Sequence, residues 1–492
     1  MTETAKKKRG MPSSFTILLA LLAIVAVITV IVSGTSGGAV TAARLSDFCT
    51  APILGFADAL PVCLFVMILG GFLGMMTETG ALDNGIAVLV QKLKGNEIML
   101  IPVLMLIFSL GGTTYGMCEE TVPFYALLAA TMMAAGFDPM VGAATVLLGA
   151  GSGCLGSTVN PFAVGAAVDA LTGVDIAVNQ SIIIGLGAVL WIVTTAMSIV
   201  FVMNYAKKVK ADKGSTILSM QELKDAEEAH GKAASEVHKE VKLTGRQKGV
   251  LIAFAFTFVV MIVGFIPLAD LNEGVANFFD AGAVYDADGN TVVQGWSALI
   301  TGLPIGQWYF DEASTWFFLM AILIGIIGGL SEKQIVNTFI TGAADMMSVV
   351  LVIALARGIS VLMANTGLDV YVLDAAANAL AGLSGVIFAP MSFLVYFGLS
   401  FLIPSTSGMA TVSMPIMGPL AVKLGFSPEV MVMIFSAAIG VVNLFTPTSG
   451  AIMGGLALAK IEWTTWLKFA LKLIVALSVV CAIILTVACV LI

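Results

Sequence analysis

Long apolar runs separated by short polar breaks dominate the chain. Phe15–Ser33, Phe56–Met76, Ser181–Tyr205, Val250–Pro267, Trp316–Leu330, Met347–Met363, Val386–Phe401 and Leu473–Ile492 approach or reach the ~20 apolar residues that cross a bilayer as a helix. The alternating short segments of a β-barrel are not the pattern seen. The runs predict an all-α polytopic membrane protein.

Two stretches interrupt this pattern from within. Gly111–Pro161 carries adjacent Glu119 and Glu120 among glycines, threonines and apolar residues, followed by a glycine-broken polar segment, Gly151–Pro161. Ile403–Gly450 repeats it: Gly116-Met117 answers Gly408-Met409, Pro123 answers Pro415, and Gly136-Phe137-x-Pro139 answers Gly425-Phe426-x-Pro428. Each copy ends in a polar break, Ser157 through Pro161 in the first and Asn443 through Gly450 in the second. The likeness begins earlier, where Leu64–Asp83 matches Leu351–Asp369 and Thr79-Gly80 matches Thr366-Gly367. Flanking charges run Phe56–Met76 from outside to inside and Met347–Met363 the other way. Two inverted-topology repeats with broken helices are therefore expected, an arrangement that places a transporter's binding site at the breaks.

Composition supports the membrane assignment. The 492 residues are 59% hydrophobic and 11% charged, against roughly 25% charged in soluble chains. The polar stretch Ala211–Lys248 predicts a solvated cytoplasmic linker with some helix, dividing the chain into an N-terminal half (1–206), a linker (207–248) and a C-terminal half (249–492). Lys6, Lys7, Lys8 and Arg9 precede a first run too long for a signal peptide, so an uncleaved helix with a cytoplasmic N-terminus is expected. Lys92 and Lys94 place amphipathic Leu82–Gly95 on the same face. Leu268–Glu312 holds acidic residues without Lys or Arg and reads as external, with a turn at Asp288-Gly289-Asn290. Gly34–Ala51 reads as a short external loop, and Gly70-x-x-x-Gly74 as a helix-packing motif. A net charge of -8 does not suggest a nucleic-acid partner. Six scattered cysteines and two loop histidines suggest neither a disulfide framework nor a zinc centre. The G-x-S-x-G match at Gly34–Gly38 follows a helix rather than a strand, and so reads as loop.

Unwound backbone in a membrane is tolerated only where protein or a watery cavity satisfies it. Ser157, Thr158 and Asn160 from one break, with Asn443, Thr446, Thr448 and Ser449 from the other, offer neutral oxygens and amides. Ser405 and Thr406 open the second stretch in the same way. Such oxygens suit a sodium ion near Ser157, Asn160, Thr446 and Ser449, and helix N-termini after the breaks suit a carboxylate. A buried charge costs about 2.5–3.5 kcal/mol at the bilayer centre on insertion scales, so Glu119 and Glu120 stand out. At about 100° apart on a helix, they are not expected to serve one site equally. Arg357, whose counterpart in the first copy is Gly70, suits a carboxylate or an ion pair with one of these glutamates. One arginine with two carboxylates fits a zwitterionic or cationic amino acid better than a dicarboxylate. Asp169, Asp369 and Lys460 are weaker candidates near helix ends.

The motifs GTTYGMCEETVPFYALL, LGSTVNPFAVG, ALARGI, IPSTSGMATVSMPIM and NLFTPTSGAIMGGLALAKI closely resemble the YfcC branch of the anaerobic four-carbon dicarboxylate carrier (DcuC) family, within the ion transporter superfamily. The resemblance implies a bacterial inner-membrane secondary carrier, usually a homodimer. It also implies a scaffold and a transport domain with two re-entrant hairpins, working by an elevator motion. Substrate and a coupling ion, sodium or a proton, would sit at the tips, here Ser157, Thr158, Asn160, Thr446, Thr448 and Ser449. No other cofactor is implied. Basic amino acid exchange of the arginine/ornithine type is the expectation, with ion-coupled carboxylate uptake the alternative. An ion channel fits the repeat less well. A membrane enzyme lacks a nucleophile–base or metal set.

Overall fold

The computed structural model describes residues 14–82, 84, 85, 88, 96–236, 242–266, 268–286, 291–403 and 405–492. The basic N-terminal segment, Lys92, Lys94 and Asp288-Gly289-Asn290 lie outside them. Eight helices among the described residues are long and apolar enough to cross a membrane.

Helix α1 (Ser14–Ser33) leads to α2 (Leu45–Asp58) and α3 (Leu60–Glu78). The expected loop Gly34–Ala51 therefore ends early. The expected span Phe56–Met76 is instead two helices that break at Ala59, where Pro61 favours a new helix start over continuation. Then come α4 (Leu100–Tyr115), α5 (Val122–Ala134), α6 (Pro139–Leu155), α7 (Ala166–Thr172) and α8 (Gln180–Ala211). The linker holds α9 (Met220–Glu236), and α10 (Gly245–Phe265) returns to the apolar layer. The loop between α10 and α11 carries a short antiparallel pair, Val284–Tyr285 with Thr291–Val293, the one departure from an all-α fold among the described residues. The remainder is α11 (Phe310–Gly328), α12 (Glu332–Asp345), α13 (Met347–Thr366), α14 (Leu368–Leu380), α15 (Gly385–Leu402), α16 (Thr406–Lys423), α17 (Pro428–Val442), α18 (Gly450–Leu458) and α19 (Trp463–Leu491).

The sequence repeat recurs in packing. Helix α4 packs on α6, α5 on α6, and α6 on α8; likewise α15 packs on α17, α16 on α17, and α17 on α19. The turns agree atom by atom. Gly136 (φ 85°) and Gly425 (φ 82°) close α5 and α16 in the left-handed region that glycine adopts without a Cβ penalty. Phe137 N–H then donates to Met132 O at 2.8 Å, and Phe426 N–H to Ala421 O at 2.9 Å. Asp138 caps α6 by accepting from Val141 N–H, and Ser427 caps α17 by accepting from Val430 N–H, each with proline next.

The copies meet reciprocally. Helix α5 packs on α18, while its counterpart α16 packs on α7. At the crossing of α6 and α17, Gly151 lies against Leu444, and its counterpart Gly440 lies against Leu155, the counterpart of Leu444. Such a swap of partners is the mark of a two-fold relation. Helix α8 fixes the relative direction of the pair. At its start, Asn179 N–H donates to Glu429 at the head of α17 (2.7 Å); towards its end, the Tyr205 hydroxyl donates to Asp138 at the head of α6 (2.6 Å). Those two points are about 39 Å apart at 1.5 Å per residue, so α6 and α17 begin at opposite ends of α8.

A second group of helices packs alongside: α2 on α13, α3 on α11 and α12, and α10 on α11. Gly70 and Gly74 let α3 approach α12, since a Cβ at Gly70 would meet Gly342 O at 2.5 Å. The linker differs from the solvated segment expected. Helix α9 docks on α5, Glu222 accepts from Glu462 N–H (2.9 Å), and His230 Nε2 bonds the Leu458 carbonyl (3.0 Å). Burial lowers the His230 pKa below its ordinary value.

Gly440→Ala is expected to destabilise the protein by about 1–3 kcal/mol, the range for over-packing, because its Cβ would stand 2.4 Å from the Leu155 Cα. Gly151→Ala presses only on the flexible end of Leu444 and should cost less. Thermal unfolding in detergent, followed by size-exclusion chromatography, checks that order.

Candidate functional site

Where α6 and α17 break, the backbone turns aside around a cavity of about 490 Å³, within the ~300–1,000 Å³ of small-molecule sites. Its wall preserves the repeat. Leu147, Gly151, Cys154 and Asn160 line it from the first copy, and the equivalent Ser436, Gly440, Asn443 and Ser449 line it from the second.

The first break spans Gly156–Asn160, later than the expected start at Gly151, because α6 continues to Leu155. Thr113 on α4 stitches it closed: its hydroxyl donates to Gly156 O (2.6 Å), and its carbonyl accepts from Thr158 N–H (2.9 Å) and the Thr158 hydroxyl (3.0 Å). Asn160 turns the chain into the next helix. Its Oδ1 accepts from Phe162 N–H (2.9 Å), and its Nδ2 donates to Ser157 Oγ (3.0 Å). The second break follows Asn443. There the Trp466 and Trp463 indoles donate to the Leu444 and Phe445 carbonyls at 2.8 and 2.7 Å.

The sequence-predicted residues divide by geometry. Glu119, Glu120, Asn160, Arg357, Ser405, Thr406, Asn443, Thr448 and Ser449 all line the cavity, as does Asp169. Ser157, Thr158 and Thr446 do not. Ser157 donates to Cys154 O (2.6 Å), Thr158 belongs to the Thr113 stitch, and Thr446 is fully buried and bonded to Thr448 (2.7 Å). Of the four residues expected around sodium, Asn160 and Ser449 line the cavity, while Ser157 lies behind Asn160, bonded to it at 3.0 Å, and Thr446 behind Thr448. Asp369 is buried in the first turn of α14 and Lys460 follows α18, both off the cavity wall.

Both glutamates reach the wall because Glu119–Thr121 is a 3₁₀ turn rather than α-helix. Glu120 is 1% exposed and accepts from Cys118 N–H at 3.0 Å. Glu119 is half-buried and within coulombic range of Arg357. The ion-pair partner of Arg357 Nε is Asp58, at the end of α2, rather than a glutamate. Sequence reasoning passed over Asp58. The signal was a lone carboxylate in an apolar run just ahead of Pro61. Ser436 and Tyr125 were missed as well; each sits inside a helix whose sequence marks no site. The cavity wall holds four carboxylates, Asp58, Glu119, Glu120 and Asp169, against one guanidinium, Arg357, among the described residues.

The model of the C4-dicarboxylate anaerobic carrier family, DcuC, matches residues 39–490. An uncharacterized protein of Haemophilus influenzae is 29% identical over 445 residues, 90% of this chain and 78% of that protein. A protein of Escherichia coli K12, named "Putative basic amino acid antiporter YfcC", is 28% identical over 424 residues, 84% of this chain and 74% of its own. Among solved structures, MtrF of Neisseria gonorrhoeae, described within a class of antimetabolite efflux pumps, aligns over 98% of this chain and 96% of that one, with 16% identity and a TM-score of 0.44. The YdaH transporter of Alcanivorax borkumensis aligns over 97% and 98%, with 14% identity and a TM-score of 0.48. Both structures are distant likenesses.

Gly116 closes α4 at φ 78°, and a Cβ there would stand 2.5 Å from Asn160 Oδ1. Gly116→Ala is expected to displace Asn160 and abolish ligand-induced thermal stabilisation. Gly136→Ala carries similar backbone strain (φ 85°) but meets nothing within 4 Å, so it should lose roughly 1–2 kcal/mol of stability and keep its ligand response. Thermal-shift titration of both variants distinguishes the two effects.

Proposed function

The chain belongs to the DcuC family of C4-dicarboxylate anaerobic carriers, and from that premise we propose that this secondary transporter exchanges basic amino acids, arginine against ornithine in type. The observation that carries the reading is the charge of the cavity wall. Four carboxylates face one guanidinium, and that guanidinium is already paired with Asp58. A dicarboxylate dianion finds no unpaired cation among these groups, while a ligand bringing a cation can pair with Glu119, Glu120 or Asp169 and lowers the energy of the site.

The packing supports an elevator reading. Helices α4–α8 and α15–α19 are two inverted units joined at the α6–α17 crossing, and they form a transport body. Helices α2, α3 and α10–α13 form the scaffold. Support comes from the opposite starts of α6 and α17 along α8, and from a cavity wall drawn from both groups, with Asp58 and Arg357 on the scaffold side. The body slides against the scaffold as an elevator, exposing the cavity to each side in turn. An empty body carrying two glutamates deep in the membrane is costly to move, at about 2.5–3.5 kcal/mol per charge on insertion scales. A bound cation offsets that cost on each passage, which favours exchange over net flux. The reading includes a homodimer in the bacterial inner membrane with a cytoplasmic N-terminus.

Carboxylate uptake coupled to sodium or a proton is the second reading. It is favoured by the hydroxyls of Ser405, Thr406 and Ser449 at the heads of α16 and α18.

Proteoliposomes loaded with ornithine should take up labelled arginine faster than empty ones. Glu119→Gln and Glu120→Gln should each slow that exchange by about tenfold or more, the effect of losing about 1.4 kcal/mol. Succinate uptake with no arginine exchange would transfer the assignment to the second reading.

A further inference from the structure

The cavity keeps the two-fold relation in its backbone and breaks it in its chemistry. The first repeat supplies Glu119, Glu120 and Asp169 to the wall. Among the described residues, α15–α19 of the second unit supply no charge there, only neutral groups such as Ser405, Asn443 and Thr448; Arg357 comes from α13 and is paired with Asp58. One of these neutral groups lacks a partner at the cavity itself, unlike Ser198, Ser314, Ser360 and Ser392, which also lack one but lie off its wall. Ser436, on α17, is 2% exposed and lines the cavity, yet its hydroxyl has no hydrogen-bond partner in the protein. Helical hydroxyls on the partner helix α6 return to a carbonyl of the preceding turn, Thr145 to Val141 O at 2.7 Å and Ser152 to Gly149 O at 2.9 Å. The position equivalent to Ser436 on α6 is Leu147, which also faces the cavity. A buried donor without a partner is unfavourable unless something else accepts from it.

The head of α18 also lines the cavity, and the Ser449 side chain makes no capping bond there. Free first-turn amides there favour an anion. Helices α17 and α18 therefore offer hydrogen-bond donors to the cavity, and the first unit offers carboxylate acceptors.

We propose that the site is bipolar. Ser436 and the head of α18 receive the ligand's carboxylate, and Glu119 and Glu120 receive its cationic end, so a basic amino acid binds in one orientation. Ser436 is then a ligand-contacting specificity residue. This deepens the basic amino acid reading and rests on it.

The test compares arginine with agmatine, which keeps the guanidinium and lacks the carboxylate, in thermal-shift titrations of the full-length protein. Wild type should bind arginine more tightly than agmatine. Ser436→Ala should weaken arginine about tenfold, as expected for a lost hydrogen bond to a charged group, and leave agmatine within about twofold. Without ligand, the variant should be at least as stable as wild type, because it removes a buried donor that lacks a partner. Equal weakening of both ligands, unchanged arginine affinity, or a less stable unliganded variant would each overturn the proposal. If wild type binds succinate and neither basic ligand, the basic amino acid reading itself fails and takes this orientation with it. If arginine binds and the preference survives in Ser436→Ala, the orientation alone is wrong.

Discussion

A peptide group that leaves its helix inside a membrane must find another partner within the protein. Both broken helices meet that demand, by different means. Thr113 reaches from α4 to hold Gly156 and Thr158, whereas Trp463 and Trp466 reach from α19 to hold Phe445 and Leu444. With their backbones satisfied, the breaks are fixed turns rather than loose ends. Asn160, Asn443 and Ser449 can then present side chains to a cavity without losing the fold around it. The positions of the helices, the cavity and its polar wall all follow from this satisfaction of backbone groups.

The family's description concerns dicarboxylates, while one relative's name concerns basic amino acids. The cavity wall contains groups suited to either chemistry. Hydroxyls and helix heads, which suit a carboxylate, belong to the architecture of the breaks. The glutamates of the α4–α5 turn have no charged counterpart in the second copy, where Thr411 and Val412 stand at the equivalent positions. Changing ligand charge would then require altering a few residues of one 3₁₀ turn, with the crossing helices left as they are.

Much of this was legible in the sequence because glycine, proline and threonine punctuate apolar runs so strongly. The paired Gly-Phe-x-Pro turns, the second break at Asn443 and the clustering of Glu119 with Arg357 around one cavity follow from that punctuation. The direction of a hydroxyl does not. Ser157, Thr158 and Thr446 have the same composition as ligand-binding residues but are committed to closing the turns. Asp58 was hidden because hydropathy averages over a single carboxylate, and the helix break beside it adds no polar run. The docking of α9 was hidden for the opposite reason. Its surface charge reads as solvated, although Glu222 and His230 bond backbone groups at either side of the α18–α19 turn.

Gly151 and Leu155 face copies of themselves, Leu444 and Gly440, across the α6–α17 crossing. In such a self-complementary junction each glycine is the socket for the other unit's leucine, so a change in one half needs an answering change in the other. Positions such as Leu147 and Ser436, which face the cavity instead, are under no such obligation and differ. Descent from a duplicated ancestor would thus leave its clearest trace at the point where the twins touch, and its faintest where the guest is held.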